Sequence, residues 1–430
     1  MANMVSTYAY SHKKQSEKND MIQPNARRLR IAYLTQLDPC DKRSWSSGLY
    51  YMGQALQQHC GEVTYLGPLR AFTKPTLLSR ARAKSSLTLL KRRYLHELGL
   101  AAARQYGREA TQKLLGQTFD VIVVGNSGIA IPYLETNLPI VLVNDCIFTH
   151  ILDYYPYYTH LSRRFIHEIT VIEEQAFKKV RAAILSSHWA ARSAIQDYHV
   201  EPEHVYVVPL GANLDGMPSR GIAAARKLSA TCRLLFVGLD WQRKGGDIAF
   251  EALLKLEEMG IEAELTICGC VPPLGMEHPR MKVTPYLDKN DERQARQIEQ
   301  LYTLADFLLL PTRADCTPFV FGEANAFGLP VITTDTGGVA DVVRDGENGY
   351  VLPFEARGQA YAQLIADLYR NEERYRQLVQ SSRAAFEERL NWDVWGRRVH
   401  DILVKACRTV DLVANTRSHK NAVKGRYPCE

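Results

Sequence analysis

The chain has 430 residues and a mass of 48.7 kDa, with 53 Lys and Arg against 47 Asp and Glu. With 46% hydrophobic and 23% charged residues it can bury full cores, which excludes disorder as the main state. At roughly 150 residues per domain the length predicts two or three domains, and a charge of +6 on so long a chain gives no reason to expect a nucleic-acid partner.

Residues 1–27 are polar and without periodicity, and read as a mobile tail lacking the apolar core of a signal peptide. Structure is predicted to begin with a short strand, Leu29–Thr35, and a helix from Gly48. Apolar runs at Val63–Leu66, Val121–Val124, Ile140–Val143, Ala182–Ser186 and Val205–Val208 alternate with helical segments. After Pro209-Leu210-Gly211 the rhythm restarts, with strands at Leu234–Val237, Ala263–Cys268, Phe307–Leu310, Val331–Thr334 and Tyr350–Leu352. Alternation of this kind predicts an α/β protein of two units, each a parallel sheet with helices on both faces. No run approaches the roughly 18–20 apolar residues of a membrane span, so a cytoplasmic protein is expected. The nine cysteines form no CxxC pair, and read as free thiols of a reducing compartment.

One stretch is unusual in composition. Arg70 to Lys113 carries eleven basic residues against two acidic ones, Glu97 and Glu109, with leucines running through it. A basic amphipathic helix there would meet an anionic membrane surface or steer an acidic acceptor; a solvated helix face is the plainer alternative.

Three runs carry chemistry. In the first, the strand FLLLP leads through TRADCTPF into a helix over about 318–327. Thr317 is expected as N-cap, Pro318 as the first helical residue and Gly328 just past the end. Such a turn aims backbone N–H groups and the positive end of a helix dipole out of the sheet edge, which suits a phosphate. Asp315 precedes the turn, and Glu323 lies within reach of a ribose or sugar hydroxyl pair. In the second run, FVGLDWQRKGGD, Arg243 and Lys244 beside glycines form a second phosphate clamp after Gly238; the spacing is not that of a P-loop. In the third, Gly337-Gly338 opens a short helix before a turn at 345–349, and turn chemistry explains most of it.

Together these runs resemble the donor domain of GT-B glycosyltransferases of the GT4 kind, the retaining nucleotide-sugar enzymes. The family's E-x7-E reads Asp315-x7-Glu323 here, and its GRL-x-x-x-KG run reads GLDWQRKGG. Lys244 aligns with the family's diphosphate lysine. Leu239 stands where the family has arginine, and Arg243 is the substitute at hand. The resemblance covers about residues 29–405. It implies an acceptor domain over 28–211, a donor domain over 212–392, a helix over 393–410 returning to the first domain and a polar, frayed tail over 411–430.

The resemblance further implies a nucleotide-diphosphate sugar as co-substrate, with no cofactor. Lys244, Arg243 and the amides of Thr317 to Phe319 (around Pro318) would face the diphosphate, Glu323 the ribose and Asp315 a donor-sugar hydroxyl. Backbone near Gly238, Gly269, Tyr286 and Leu287 would meet the nucleotide. Ser47 and Gly48 occupy the usual Gly-Gly place, and Asn144 and Asp145 stand where many members have histidine, with His150 a few residues on. Tyr154 to Tyr158 would line an acceptor cleft or simply pack. The sequence has no D-x-D triplet, which favours metal-independent chemistry. The departures at Leu239, Asn144 and Asp315 leave open a second reading, a GT-B-shaped binding protein with weak or no turnover. A dinucleotide oxidoreductase lacks its GxGxxG after the first strand.

Overall fold

The structure is a computed structural model; it describes the backbone of residues 28–70 and 91–424, with side chains as far as 408. The N-terminal half is built on β1 (Leu29–Thr35), β2 (Gly61–Tyr65), β3 (Val121–Gly125), β4 (Ile140–Asn144), β5 (Ala182–Leu185) and β6 (Val205–Val207). The C-terminal half is built on β7 (Cys232–Val237), β8 (Ala263–Cys268), β9 (Met281–Thr284), β10 (Phe307–Leu310), β11 (Val331–Thr334) and β12 (Gly349–Leu352). Each half is a six-stranded parallel sheet, in the orders β2-β1-β3-β4-β5-β6 and β12-β11-β10-β7-β8-β9.

Every residue of β3, β4, β5, β10 and β11 is buried, as expected of strands covered on both faces. The strand period of two separates the faces of the first sheet. Ala32, Leu34, Ile122 and Val124 enter one core; Ile31, Tyr33, Val121 and Val123 enter the other. Into the second core comes the final helix, Trp392–Lys424, with Trp395, Val399 and Leu403 fully buried among strands of the other half. Its backbone continues helical past the end expected at 410, since no glycine or proline interrupts it between Gly396 and Gly425.

The two halves are joined twice, side by side. Ala212 N–H donates to Leu390 O at 2.9 Å, and a Cβ on Gly211 would lie 2.5 Å from Trp392 N. The buried Asn213 carboxamide accepts from Trp392 Nε1 at 3.0 Å and donates to Ser46 O at 2.7 Å. It thus ties the crossing to the loop after β1.

Of the basic stretch, residues 71–90 lie outside the described residues. Two of its described basic residues have structural partners. Arg93 Nη2 donates to the carbonyls of Pro156, Tyr157 and Thr159, and Lys113 Nζ to those of Leu66 and Pro68. No described helix is long and apolar enough to cross a membrane.

Candidate functional site

In a doubly wound sheet, ligands bind beyond the carboxyl ends of the strands where the strand order reverses. In the second sheet that point lies between β7 and β10. The loops after these two strands face the loop after β1 across a cleft of about 330 Å³. Gly238, Leu239, Arg243, Lys244, Asp315, Thr317, Phe319 and Glu323 line it from one side. Lys42, Arg43, Ser47, Asp145 and Tyr155 line it from the other.

Close backbone approach shapes the β7 loop. Gly245 has φ +74, and a Cβ there would sit 2.0 Å from Pro311 O, so the β7 and β10 loops touch through this glycine. The turn carries Lys244 inward until it is buried. Its Nζ donates to Asp315 Oδ1 at 2.9 Å and Oδ2 at 2.7 Å. Arg243 Nη1 adds a bond to Oδ1 at 3.2 Å, and Thr312 Oγ1 one to Oδ2 at 2.7 Å. Burial pushes the Lys244 ammonium down from its ordinary pKa; Asp315 opposes this, and Arg243 adds to it. Both oxygens of Asp315 are therefore engaged within the protein, where a sugar hydroxyl was expected.

Asp315 to Thr317 are held from the other half. The Tyr154 hydroxyl accepts from Asp315 N at 2.9 Å, and the Tyr155 hydroxyl from Cys316 N at 3.0 Å. Gly337 and Gly338 permit this packing. A Cβ on either would strike the carbonyl of Asp315 or Cys316 at 2.0 and 2.1 Å. Their small size serves the chain's own loop.

The helix after β10 is Phe319–Ala326, shorter than expected, with Pro318 extended at the cap position. Thr317 does not cap it: its hydroxyl pairs with Ser186 Oγ at 2.8 Å, from the opposite half. Gly328, at φ +67, ends the helix as expected. Glu323 is 2% exposed; it accepts from Lys289 Nζ at 2.6 Å on Oε1 and from Tyr302 OH at 2.8 Å on Oε2. Gly269, Tyr286 and Leu287 line the same cleft, with Gly269 at φ +106 against Gly238 O.

Trp45, Ser46 and Ser47 are all left-handed, with φ of 46, 52 and 73. Strain of this kind costs on the order of 1–3 kcal/mol per residue and persists where surroundings hold it. Here they are held by Asn213 on Ser46 O and by Phe319, whose ring meets Trp45 edge-on at 5.5 Å. Both come from the other half.

The structure brings every expected donor-side residue to the cleft, but only Ser47 and Asp145 of the acceptor-side set. Gly48 packs on the Phe319 ring, where a Cβ would meet Cζ at 2.5 Å. Asn144 is buried, its side-chain oxygen accepting from Asp145 N. His150 stacks on Trp189 with centroids 4.4 Å apart, and burial lowers its pKa. Of Tyr154 to Tyr158, Tyr155 lines the cleft; Lys289 and Lys42 were not anticipated there, and Lys289 stands alone in YLDKND, where no motif marks it.

Residues 231–371, which include all of this donor-side constellation, match the family model described as Glycosyl transferases group 1. The chain carries a group 1 glycosyl transferase domain. A D-inositol 3-phosphate glycosyltransferase of Xylanimonas cellulosilytica is 26% identical over 253 residues, 55% of this chain and 60% of that protein. Spore coat protein SA of Bacillus subtilis is 33% identical over 98 residues, 23% of this chain and 26% of its own. The chain spans about half to three fifths of the length of the first curated relatives it matches. Among solved structures, sucrose-phosphate synthase from Thermosynechococcus elongatus superposes with a TM-score of 0.60 at 15% identity, over 88% of this chain and 99% of that one. WaaG, a glycosyltransferase involved in lipopolysaccharide biosynthesis, gives 0.58 at 17% identity over 87% and 99%. Anabaena Alr3699/HepE in complex with UDP-glucose gives 0.58 at 16% identity over 88% and 100%. At such identities the likeness speaks for the GT-B fold, in which the group 1 domain is the C-terminal half.

Proposed function

We propose that the protein transfers a sugar from a nucleotide-diphosphate sugar to an acceptor, by a retaining, metal-independent, same-face reaction. The observation that carries this reading is the Lys244–Asp315–Arg243 cluster beside Glu323, at the reversal point of the second sheet. As the sugar–phosphate bond breaks, negative charge grows on the departing diphosphate, and fixed cations and N–H donors there lower the barrier. Lys244, Arg243 and the amides at the start of Phe319–Ala326 would act so. Asp315 is then a positioning residue that holds both cations, a role that differs from binding a sugar hydroxyl. Glu323 receives the ribose hydroxyls, with Lys289 giving way or sharing.

Same-face transfer needs no protein nucleophile. The acceptor would enter between the cleft and the loop bearing Asp145 and Tyr155. Its identity stays open among glycans, lipids and small metabolites, and an acidic or lipid-linked acceptor at a membrane's inner face would suit the basic segment around 70–113.

The test is proton NMR of the protein with a panel of UDP-, GDP-, ADP- and dTDP-sugars. Slow hydrolysis of one donor, with the released sugar first seen in the donor's anomeric configuration, supports the reading. Release with the opposite configuration removes retention. Tight donor binding with no turnover, even with acceptors supplied, makes the protein a binding module. Activity that survives EDTA supports metal independence, and activity lost to EDTA and restored by Mg²⁺ removes it.

A further inference from the structure

Where the loop after β4 meets the loop after β10, a carboxylate oxygen of Asp145 and the sulfurs of Cys146 and Cys316 lie within 4.8 Å of one another. Two of the three residues belong to the N-terminal half and one to the C-terminal half. Cys316 is 2% exposed, and the other two are half-buried. The nearby cations are committed elsewhere, since Lys244 and Arg243 both point to Asp315. Burial raises Asp145 to about 6 and pushes the Cys316 thiol up; the Cys146 thiol is raised first by its hydrogen bond with Cys316, then by burial and by the charge of Asp145. The cluster is thus rich in donor atoms and poor in counter-charge.

We propose that Asp145, Cys146 and Cys316 form a binding site for one thiophilic divalent cation, Zn²⁺ being the best match, which staples the two halves across the cleft. Two sulfurs and one carboxylate oxygen suit tetrahedral zinc, with Zn–S of about 2.3 Å and Zn–O of about 2.0–2.2 Å. Small side-chain rotations close the atoms onto one ion, and a fourth position is left for solvent from the cleft. On binding, the cation replaces the two thiol protons, which pass to buffer; no electron moves. The ion would sit on the residue next to Asp315, so a bound cation fixes the loop that positions Lys244. The site shares the cleft wall through Asp145 and Cys316 but takes none of the cations set toward the diphosphate.

The test is titration of the full chain with Co²⁺ as a spectroscopic substitute for Zn²⁺, in a non-thiol reductant. The expected result is a thiolate-to-cobalt charge-transfer band that saturates at one ion per chain and is displaced by Zn²⁺. Cys146→Ser should weaken binding by more than the roughly 10–100-fold that loss of an outer-shell partner costs. Cys40→Ser, an exposed cysteine elsewhere, should leave it unchanged. Zn²⁺ should also raise the melting temperature of the wild type and not of Cys146→Ser, which shows that the variant is folded. No thiolate band in the wild type, or a band of full strength in Cys146→Ser, overturns the proposal. This readout needs no turnover, so its failure is distinct from failure of the sugar-transfer reading.

Discussion

Lys244 Nζ lies 2.9 and 2.7 Å from the two carboxylate oxygens of Asp315, inside the cleft and largely buried. A buried ion pair of this kind is poor evidence for stability, because desolvation offsets much of the attraction. Its placement at the mouth of two strand-to-helix turns gives it a different use. In the proposed reaction it would hold a cation ready where the diphosphate arrives.

Lys244→Ala should lower turnover by about 10²–10³-fold, the usual loss when one charge-stabilising donor is removed. Steady-state kinetics with the accepted donor sugar checks this, and near-normal kcat contradicts the assignment. Asp315→Asn should also lower kcat, by loosening both cations. If Asp315 instead binds the sugar directly, its loss would fall mainly on donor KM.

Lys289 Nζ donates to Glu323 Oε1 at 2.6 Å. Lys289→Met should therefore change nucleotide affinity at least several-fold while leaving kcat within about tenfold, since loss of uniform binding acts on KM. Titration calorimetry with the nucleoside diphosphate, beside kcat measurements, separates the two effects.

Tyr154→Phe removes the hydroxyl that accepts from Asp315 N across the two halves. An amide left without its partner costs about 1–3 kcal/mol. Urea denaturation should show a loss of that size, and an unchanged midpoint would contradict the role given to this bridge.

Glu173 anchors the loop that carries Asp145 and Tyr155, accepting from Phe148 N at 3.1 Å and from Tyr198 OH. Burial raises its pKa to about 7 from 4.5. The folded protein thus holds a proton that the unfolded chain releases, so this group's contribution to stability falls as pH rises from 4.5 through about 7. Glu173→Gln lacks this titration. Its melting temperature relative to wild type should rise from pH 5 to pH 8, and a constant difference would contradict the raised pKa.

Much of the fold was legible because central strands such as β3, β5 and β10 are short apolar runs and many turns carry glycines. Gly238, Arg243, Lys244 and Asp315 were legible for the same reason, as they follow the ends of β7 and β10; Gly269, Tyr286 and Leu287, after β8 and β9, came only from the family resemblance. What escaped depends on tertiary contacts. Thr317 reads as a cap, yet Ser186 from the other half takes its hydroxyl. Trp45, Ser46 and Ser47 carry no glycine to announce three left-handed residues, and tertiary contacts with Asn213 and Phe319 help to hold them there. Arg93 reads as free charge, yet it ties three carbonyls of the tyrosine-rich loop.

The most direct measurement is calorimetric titration of wild type and Glu323→Ala with UDP-, GDP-, ADP- and dTDP-sugars. The account predicts that one of these donors binds the wild type at one site per chain and that Glu323→Ala abolishes or greatly weakens that binding. Equal affinity in the two proteins, or no binding of any donor to the folded wild type, would contradict it.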